Sequence, residues 1–357
     1  MIGGGIIGLL SARDLVLAGK TVVVLERNPV IGKEASWAGG GILSPLYPWH
    51  YPSATTELAL WSQQVYPTLC KALVYGDFDP QWQKSGLLVM NANDVELAIQ
   101  WGEKYGILVN LFDAAEALVD EPGLSPDITS AICMPEVAQV RNPCLLSAMR
   151  RDLEARGCQF MESVEVTNIE SKEGRLTGLV TAERQTIKAK QCILAAGAWS
   201  GELLAGLGVT VQVEPVRGQM LLFKGEPGLL HRIVLKDGRY LIPRRDGRIL
   251  AGSTLEYTGF DKSITESARQ DLQQAAIGIA PEIANLEIEQ QWAGLRPGSP
   301  DGIPYIGIHP EIAGLVVCTG HFRNGFVLGP ASARLAVDLM LDREPLMDPA
   351  AYCLDRA

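Results

Sequence analysis

The chain opens MIGGGIIG, and the spacing Gly3-x-Gly5-x-x-Gly8 constrains its fold more than any other feature. Glycines so placed let a strand bend sharply, let the backbone approach a pyrophosphate, and let the following helix pack closely on the strand. The free N–H groups at the helix N-terminus then face the phosphates. The apolar spacing of IIGLLSARDLVLA, residues 6–18, predicts a helix ended by Gly19, and TVVVLE predicts a buried strand ending on Glu26. Glu26 is then placed to accept hydrogen bonds from ribose hydroxyls. Turn, helix, strand and acid together read as half of a dinucleotide fold. A first strand should bring several apolar residues ahead of Gly3. Only Met1 and Ile2 stand there, so either that strand is a stub or the sequence starts late. The glycine turn leaves NAD and FAD both open.

At 357 residues the chain is longer than one core usually serves, which predicts two domains. A formal charge of −10 argues against a nucleic-acid binder, while leaving room for a local basic pocket. No apolar run reaches membrane length, and no basic segment precedes an apolar one as in a signal peptide. The 7 cysteines are scattered without a C-x-x-C pair, which predicts free thiols in a reducing cytosol. The 4 histidines lack ligand spacing, so no metal site is expected.

Further along, residues 36–52 read as loop, a helix is expected from about Thr56 to Tyr75, and SGLLVMN reads as a short strand. Asp94 should begin a helix running to Tyr105, followed by a loop-rich acidic segment. RNPCLLSAMRRDLEARG predicts a helix capped by Asn142, with Pro143 in its first turn and Gly157 as its stop. VTVQVEPVRGQMLLF reads as two strands broken near Pro215 and Gly218. RYLIPRRDGRILAGST reads as a hairpin turning at Asp246-Gly247, and Ser263-x-x-Glu266 as a capping box. GLVVCTG is a buried strand and GPASARLAVDLML the last helix. With no linker or repeat visible, the two domains are expected to interleave. The nucleotide unit would take residues 1–44, 137–215 and 297–357, and a mixed, largely antiparallel β unit residues 45–136 and 216–296.

Three later segments bear on the ligand. Small residues in ASWAGGG, Ala35 to Gly41, let backbone N–H groups approach a flat ring, though a flexible loop reads the same way. In CILAAGAWSGEL a buried strand opens at Ala196-Gly197 with no side chain to block a ligand, as in any plain strand–turn–helix. WAGLRPG sets Arg296 just after an alternating strand. A planar guanidinium there could hold a carboxylate through two parallel hydrogen bonds; a surface arginine gives the same pattern.

Taken in order, IGGGIIG, VVVLER, ASWAGGG, AAGAWSGEL, EPVRGQM, RYLIPR, WAGLRPGSPDGIPYIG and GHFRNGFVLGPASARL resemble the FAD-dependent D-amino-acid oxidase family, from Met1 to about residue 341. The resemblance implies an α/β fold in which a Rossmann-like FAD domain interleaves with a β substrate domain. It implies non-covalent FAD, with Gly3, Gly5, Ile6, Ile7 and Gly8 along the pyrophosphate and Glu26 and Arg27 at the adenosine ribose. Glu34, Ala35, Gly39, Gly40 and Gly41 would line the flavin side, and Val166 would meet adenine. Ala196, Gly197 and Trp199 would complete the cofactor wall. His321, Phe322, Arg323, Asn324, Gly325, Phe326 and Val327 would wrap the flavin ring, where the positive end of the last helix can stabilise charge on reduced flavin.

By the same resemblance Arg296 clamps a substrate carboxylate, Tyr240 donates to it, and Arg323 helps place the amino group; His321 packs rather than acting as a base. The implied reaction is oxidative deamination of glycine and other small amino acids or amines. Hydride passes to flavin, and dioxygen then yields hydrogen peroxide, with thiamine (thiazole) biosynthesis as the destination of the product. A D-amino-acid or sarcosine oxidase or dehydrogenase is the alternative within the family. An NAD dehydrogenase and a non-catalytic flavin binder are the readings outside it. A cytoplasmic homo-oligomer is implied as well.

Overall fold

Ahead of the glycine turn, Ile2 does the work of a strand. In the computed structural model, which describes residues 1–356, Ile2 bridges Leu25 on one side and Leu194 on the other, both in parallel. Its N–H donates to Ile193 O, and its C=O accepts from Ala195 N. Around it a layer forms from Gln159–Met161, Val23–Leu25, Cys192–Leu194, Leu315–Thr319 and Tyr305–Ile308. All its pairings are parallel except that of the last two strands. The helices Ile6–Leu17, Ser53–Leu73, Asn142–Ala155 and Gly325–Met340 share one core against this layer. Parallel strands covered by helices are what a chain alternating glycine turn, helix and buried strand must build.

The second layer is an 8-stranded sheet in the order 287–298, 214–224, 249–252, 239–243, 233–236, 87–90, 130–134, 110–113. Its side chains alternate between two cores, as strand geometry requires. Leu221, Phe223, Leu241 and Ala251 face the helix Glu266–Ile279. Met220, Tyr240, Ile242 and Leu250 face the other way, with Leu46. That second face looks toward the glycine turn, so the alternation of RYLIP decides that Tyr240 points at the ligand side.

The structure departs from several sequence expectations. Residues 214–224 form one strand through Pro215 and Gly218, paired along its length with 287–298. Arg296 therefore lies inside a strand, opposite Val216, rather than after one. The helix 266–279 is capped by Thr265, whose side chain accepts from Ala268 N; the Ser263 hydroxyl is occupied by Asp261. Asn142 does not cap its helix, because its amide donates to Ser36 O at 2.9 Å. Residues 110–120, read as loop, form a strand and a helix with a capping box between Asp113 and Glu116. Ala35–Ala38 coil into one helical turn instead of a loop.

One buried acid sits apart from the ligand side. Asp14, on the first helix, is raised from 3.8 to about 6, with burial as the main cause and Arg13 and Arg334 opposing it. A carboxyl raised on folding contributes full stability while protonated in both states and loses it as pH rises through the folded value. Asp14→Asn should therefore be more stable than the wild type at about pH 7.5, by up to about 3 kcal/mol, with the gap closing near pH 4. Thermal melts at both pH values check this; a gap independent of pH contradicts it.

Candidate active site

The turn between Ile2 and the first helix is shaped by contacts only glycine allows. Gly3 has φ of +101°, and a Cβ on it would lie 2.4 Å from Ala195 O; one on Gly8 would lie 2.0 Å from Gly3 O. Helix, turn and neighbouring strand thus meet backbone to backbone, as the spacing required. Glu26 is buried and accepts from Gly4 N and Asn28 N at 2.9 Å, which ties the strand end to the turn. The Ser36 hydroxyl accepts from Ile6 N at 2.9 Å. The N–H groups of Gly5 and Ile7 find no acceptor among the described residues. The last helix also begins without a side-chain cap, and the N–H groups of Gly325, Phe326 and Val327 find no acceptor among the described residues.

These two helix starts open on one elongated cavity, and nearly all of the predicted site residues line it. Glu26, Arg27, Val166 and Trp199 wall one end, with the Arg27 guanidinium 3.8 Å from the Trp199 ring centroid. Gly3, Gly5, Ile6 and Ile7 follow, then Glu34, Ala35, Gly39, Gly40, Gly41, Ala196 and Gly197. His321, Phe322, Arg323, Asn324, Gly325 and Phe326 line it as well, with the Phe322 N–H donating to Pro297 O at 2.8 Å, and Tyr240 and Arg296 make the far end with Ile42, Ser44 and Leu46. Two predicted residues stand outside the wall. Gly8 lies behind the turn, against Gly3 O, and Val327 points into the helical core because the buried face of the last helix claims it.

The far end is cationic. Arg296 makes no ion pair among the described residues; it donates to Thr254 O at 3.1 Å and Ser253 Oγ at 2.7 Å. Burial pushes its guanidinium down to about 10, opposed by the Tyr240 phenol and reinforced by the charge of Arg323. It remains a cation at neutral pH. A half-buried cation facing a cavity without a protein counter-ion is a site for an anion, since an uncompensated charge is otherwise costly there. The position is made by Gly218 on the neighbouring strand: a Cβ there would lie 2.2 Å from Arg296 Nη1 and Nη2. The Tyr240 hydroxyl lies 3.5 Å from Met220 Sδ. Burial lowers His321 to about 3, so its imidazole is neutral.

Several parts of this site were missed in the sequence. Ser253 and Thr254 hold Arg296, and Thr254 in turn is fixed by Gln219 N at 2.8 Å. Arg244 donates to Gly40 O at 2.7 Å and Val140 O at 3.0 Å, clamping the glycine stretch 39–41 from the second sheet. Polar residues that act through sheet neighbours leave no spacing signal: Gln219 lay within EPVRGQM and Arg244 within RYLIPR, yet neither motif marked them.

The cavity fits a dinucleotide such as FAD. Its glycine cradle would be filled by any Cβ, two helix starts present free N–H groups, and the buried His321 Nε2 and Asn324 Nδ2 lack partners. Comparison with known proteins points the same way. The FAD dependent oxidoreductase family matches residues 1–339. The glycine oxidase of Pseudomonas aeruginosa is 48% identical over 99% of this chain and 97% of its own length. The crystal structure of glycine oxidase from Geobacillus kaustophilus superimposes with a TM-score of 0.95 at 30% identity, covering 100% of this chain and 97% of that one. Iminodiacetate oxidase from Chelativorans gives 0.88 at 26% identity, covering 99% and 98%. Gly8→Ala should lower FAD content by at least about tenfold in affinity, because its Cβ would displace Gly3 O and with it the turn. Flavin absorbance per chain after purification and dialysis measures this; unchanged content contradicts it.

Proposed function

The chain belongs to the FAD-dependent oxidoreductase family, and we propose that it is an oxidase of glycine and other small amino acids, with Arg296 orienting the substrate. The observation that carries this is the half-buried Arg296 guanidinium, unpaired among the described residues, at the far end of the cavity whose other parts would cradle the nucleotide. The resemblance to glycine oxidases supports the substrate, and thiazole formation for thiamine is the destination it implies. On this reading residues 1–44, 137–215 and 297–357 form the cofactor unit, and the intervening stretches bind substrate.

The substrate carboxylate would lie across Arg296, with the Tyr240 phenol as a second donor. Two parallel N–H···O bonds fix orientation as well as charge. Ile42 and Leu46 give the far end an apolar wall, which keeps water from competing for the guanidinium. Arg323 helps to seat the amino group. Bound FAD supplies the two-electron acceptor, and dioxygen takes those electrons on to hydrogen peroxide. No side chain at the substrate end can serve as a base: His321 is held near 3, and the carboxylates Glu26, Glu34, Glu165 and Glu202 line the nucleotide end. The amine must therefore react in its neutral form, having lost its proton to solvent. Cys318 also lines the cavity, but burial pushes its thiol far up and its sulfur faces Ser332 O at 3.7 Å, which supports non-covalent FAD.

Two outcomes test this. Glycine added without oxygen should bleach the visible flavin band, and Arg296→Ala should weaken glycine by about 2–5 kcal/mol in kcat/KM. An unchanged KM in the variant, or no bleaching in the wild type, contradicts the reading. The pH profile should rise on a single limb set by the substrate amine and fall as pH nears about 10, where Arg296 loses its charge. His321→Gln should leave that rising limb in place, and its displacement in the variant would make His321 the base.

A further inference from the structure

Glycine offers one carboxylate, but besides Arg27, which has Glu34 and Glu165 as partners, the cavity presents two guanidinium groups. Arg296 at least has a carbonyl and a hydroxyl to donate to. The Arg323 side chain, half-buried in the cavity wall, has neither an ion pair nor a side-chain hydrogen bond among the described residues. The Phe322 N–H donates to Pro297 O at 2.8 Å, so the segment carrying Arg323 is joined to the one carrying Arg296, toward the substrate end rather than among the carboxylates of the nucleotide end. No carboxylate lines the wall beside either arginine: the four acids of the cavity are Glu26, Glu34, Glu165 and Glu202. Two like charges held near one another in a partly dry site, without a counter-ion, favour a ligand that brings two negative charges.

We infer that this site also takes dicarboxylic secondary amines of the iminodiacetate kind, one carboxylate on Arg296 and the second on Arg323. The inference rests on the oxidase reading and names a further substrate class for the same site. The likeness to iminodiacetate oxidase concerns that protein, but it agrees with a ligand of this shape in this fold.

The chemistry balances without a new oxidant. One α C–H bond of the secondary amine breaks, the nitrogen lone pair forms a C=N bond, and two electrons reach dioxygen by way of the cofactor. Water then adds to the carbon and the C–N bond breaks. One iminodiacetate, one dioxygen and one water give one glyoxylate, one glycine and one hydrogen peroxide. The glycine released is itself a substrate on the oxidase reading. Complete oxidation therefore yields two glyoxylates, two peroxides and one ammonia.

Binding can be read apart from turnover with ethers, which lack the reactive amine. Diglycolate has the iminodiacetate skeleton with oxygen in place of N–H, and methoxyacetate keeps only one of its carboxylates. Calorimetry on the FAD-loaded protein should show diglycolate bound at least about tenfold more tightly than methoxyacetate. Arg323→Gln should bring that ratio toward unity, whatever it does to glycine, and Arg323→Lys should keep part of it. Equal affinities in the wild type, or a ratio unmoved by Arg323→Gln, overturn the inference. Turnover provides the second arm: two glyoxylates per iminodiacetate support it, and no oxidation of iminodiacetate while glycine is oxidised overturns it alone. If glycine itself fails to reduce the flavin, the oxidase reading falls, and the diglycolate ratio still decides whether Arg323 holds a second anion.

Discussion

A cation with no counter-ion among the described residues organises the far end of the cavity. Arg296 sits within a strand, drapes across Gly218 of its neighbour, and spends its donors on one carbonyl and one hydroxyl. Such an arrangement is costly to a folded chain unless an anion completes it. The surrounding sheet accepts that cost in a specific way. Gly218 gives up its side chain to make room, and Gln219 fixes Thr254, whose carbonyl receives the guanidinium. The Glu256 carboxylate, which could have neutralised Arg296, is committed to Arg217, Gln219 and Thr254. The anion site exists because the nearest acid has been given other work.

The nucleotide end is made by the opposite device, the absence of side chains. Gly3 and Gly8 bring backbone onto backbone, and the helix starts at Gly5 and Gly325 are left uncapped. The two ends are held in one cavity by contacts that cross between the layers. Arg244, just past the strand 239–243, and Trp292, in the strand 287–298, donate to the carbonyls of Gly40 and Ala38 at 2.7 and 3.1 Å. The stretch 38–41 is therefore fixed from the substrate side while it lines the cofactor side. On the oxidase reading this coupling sets the distance between the redox ring and the carboxylate clamp, the quantity on which positioning catalysis depends.

Much of this was legible in the sequence, for identifiable reasons. The glycine turn, the first helix and Glu26 follow from local geometry, and their spacing is nearly the whole of their function. The cavity wall was readable because seven of the eight ordered motifs fell on it, all but EPVRGQM. What could not be read depends on partners far along the chain. Asn142 looks like a cap until Ser36, 106 residues away, takes its amide. Ser263 looks like a cap until Asp261 occupies it and Thr265 takes over. The strand 214–224 runs through Pro215 and Gly218 because a second strand pairs with it throughout, a tertiary override of local propensity. Ser253 lies near the end of the quoted hairpin segment with nothing to mark it, and only the tertiary placement of that hairpin brings it to Arg296.

The most direct measurement of the central claim is a crystal structure of the FAD-loaded protein with glycolate, a carboxylate that lacks the reactive amine. The account predicts the carboxylate lying flat against Arg296, within hydrogen-bond distance of both terminal nitrogens and of the Tyr240 hydroxyl, at the end of the cavity away from Glu26. Glycolate bound elsewhere, or Arg296 turned from the cavity onto a protein carboxylate once the cofactor is in place, would contradict it.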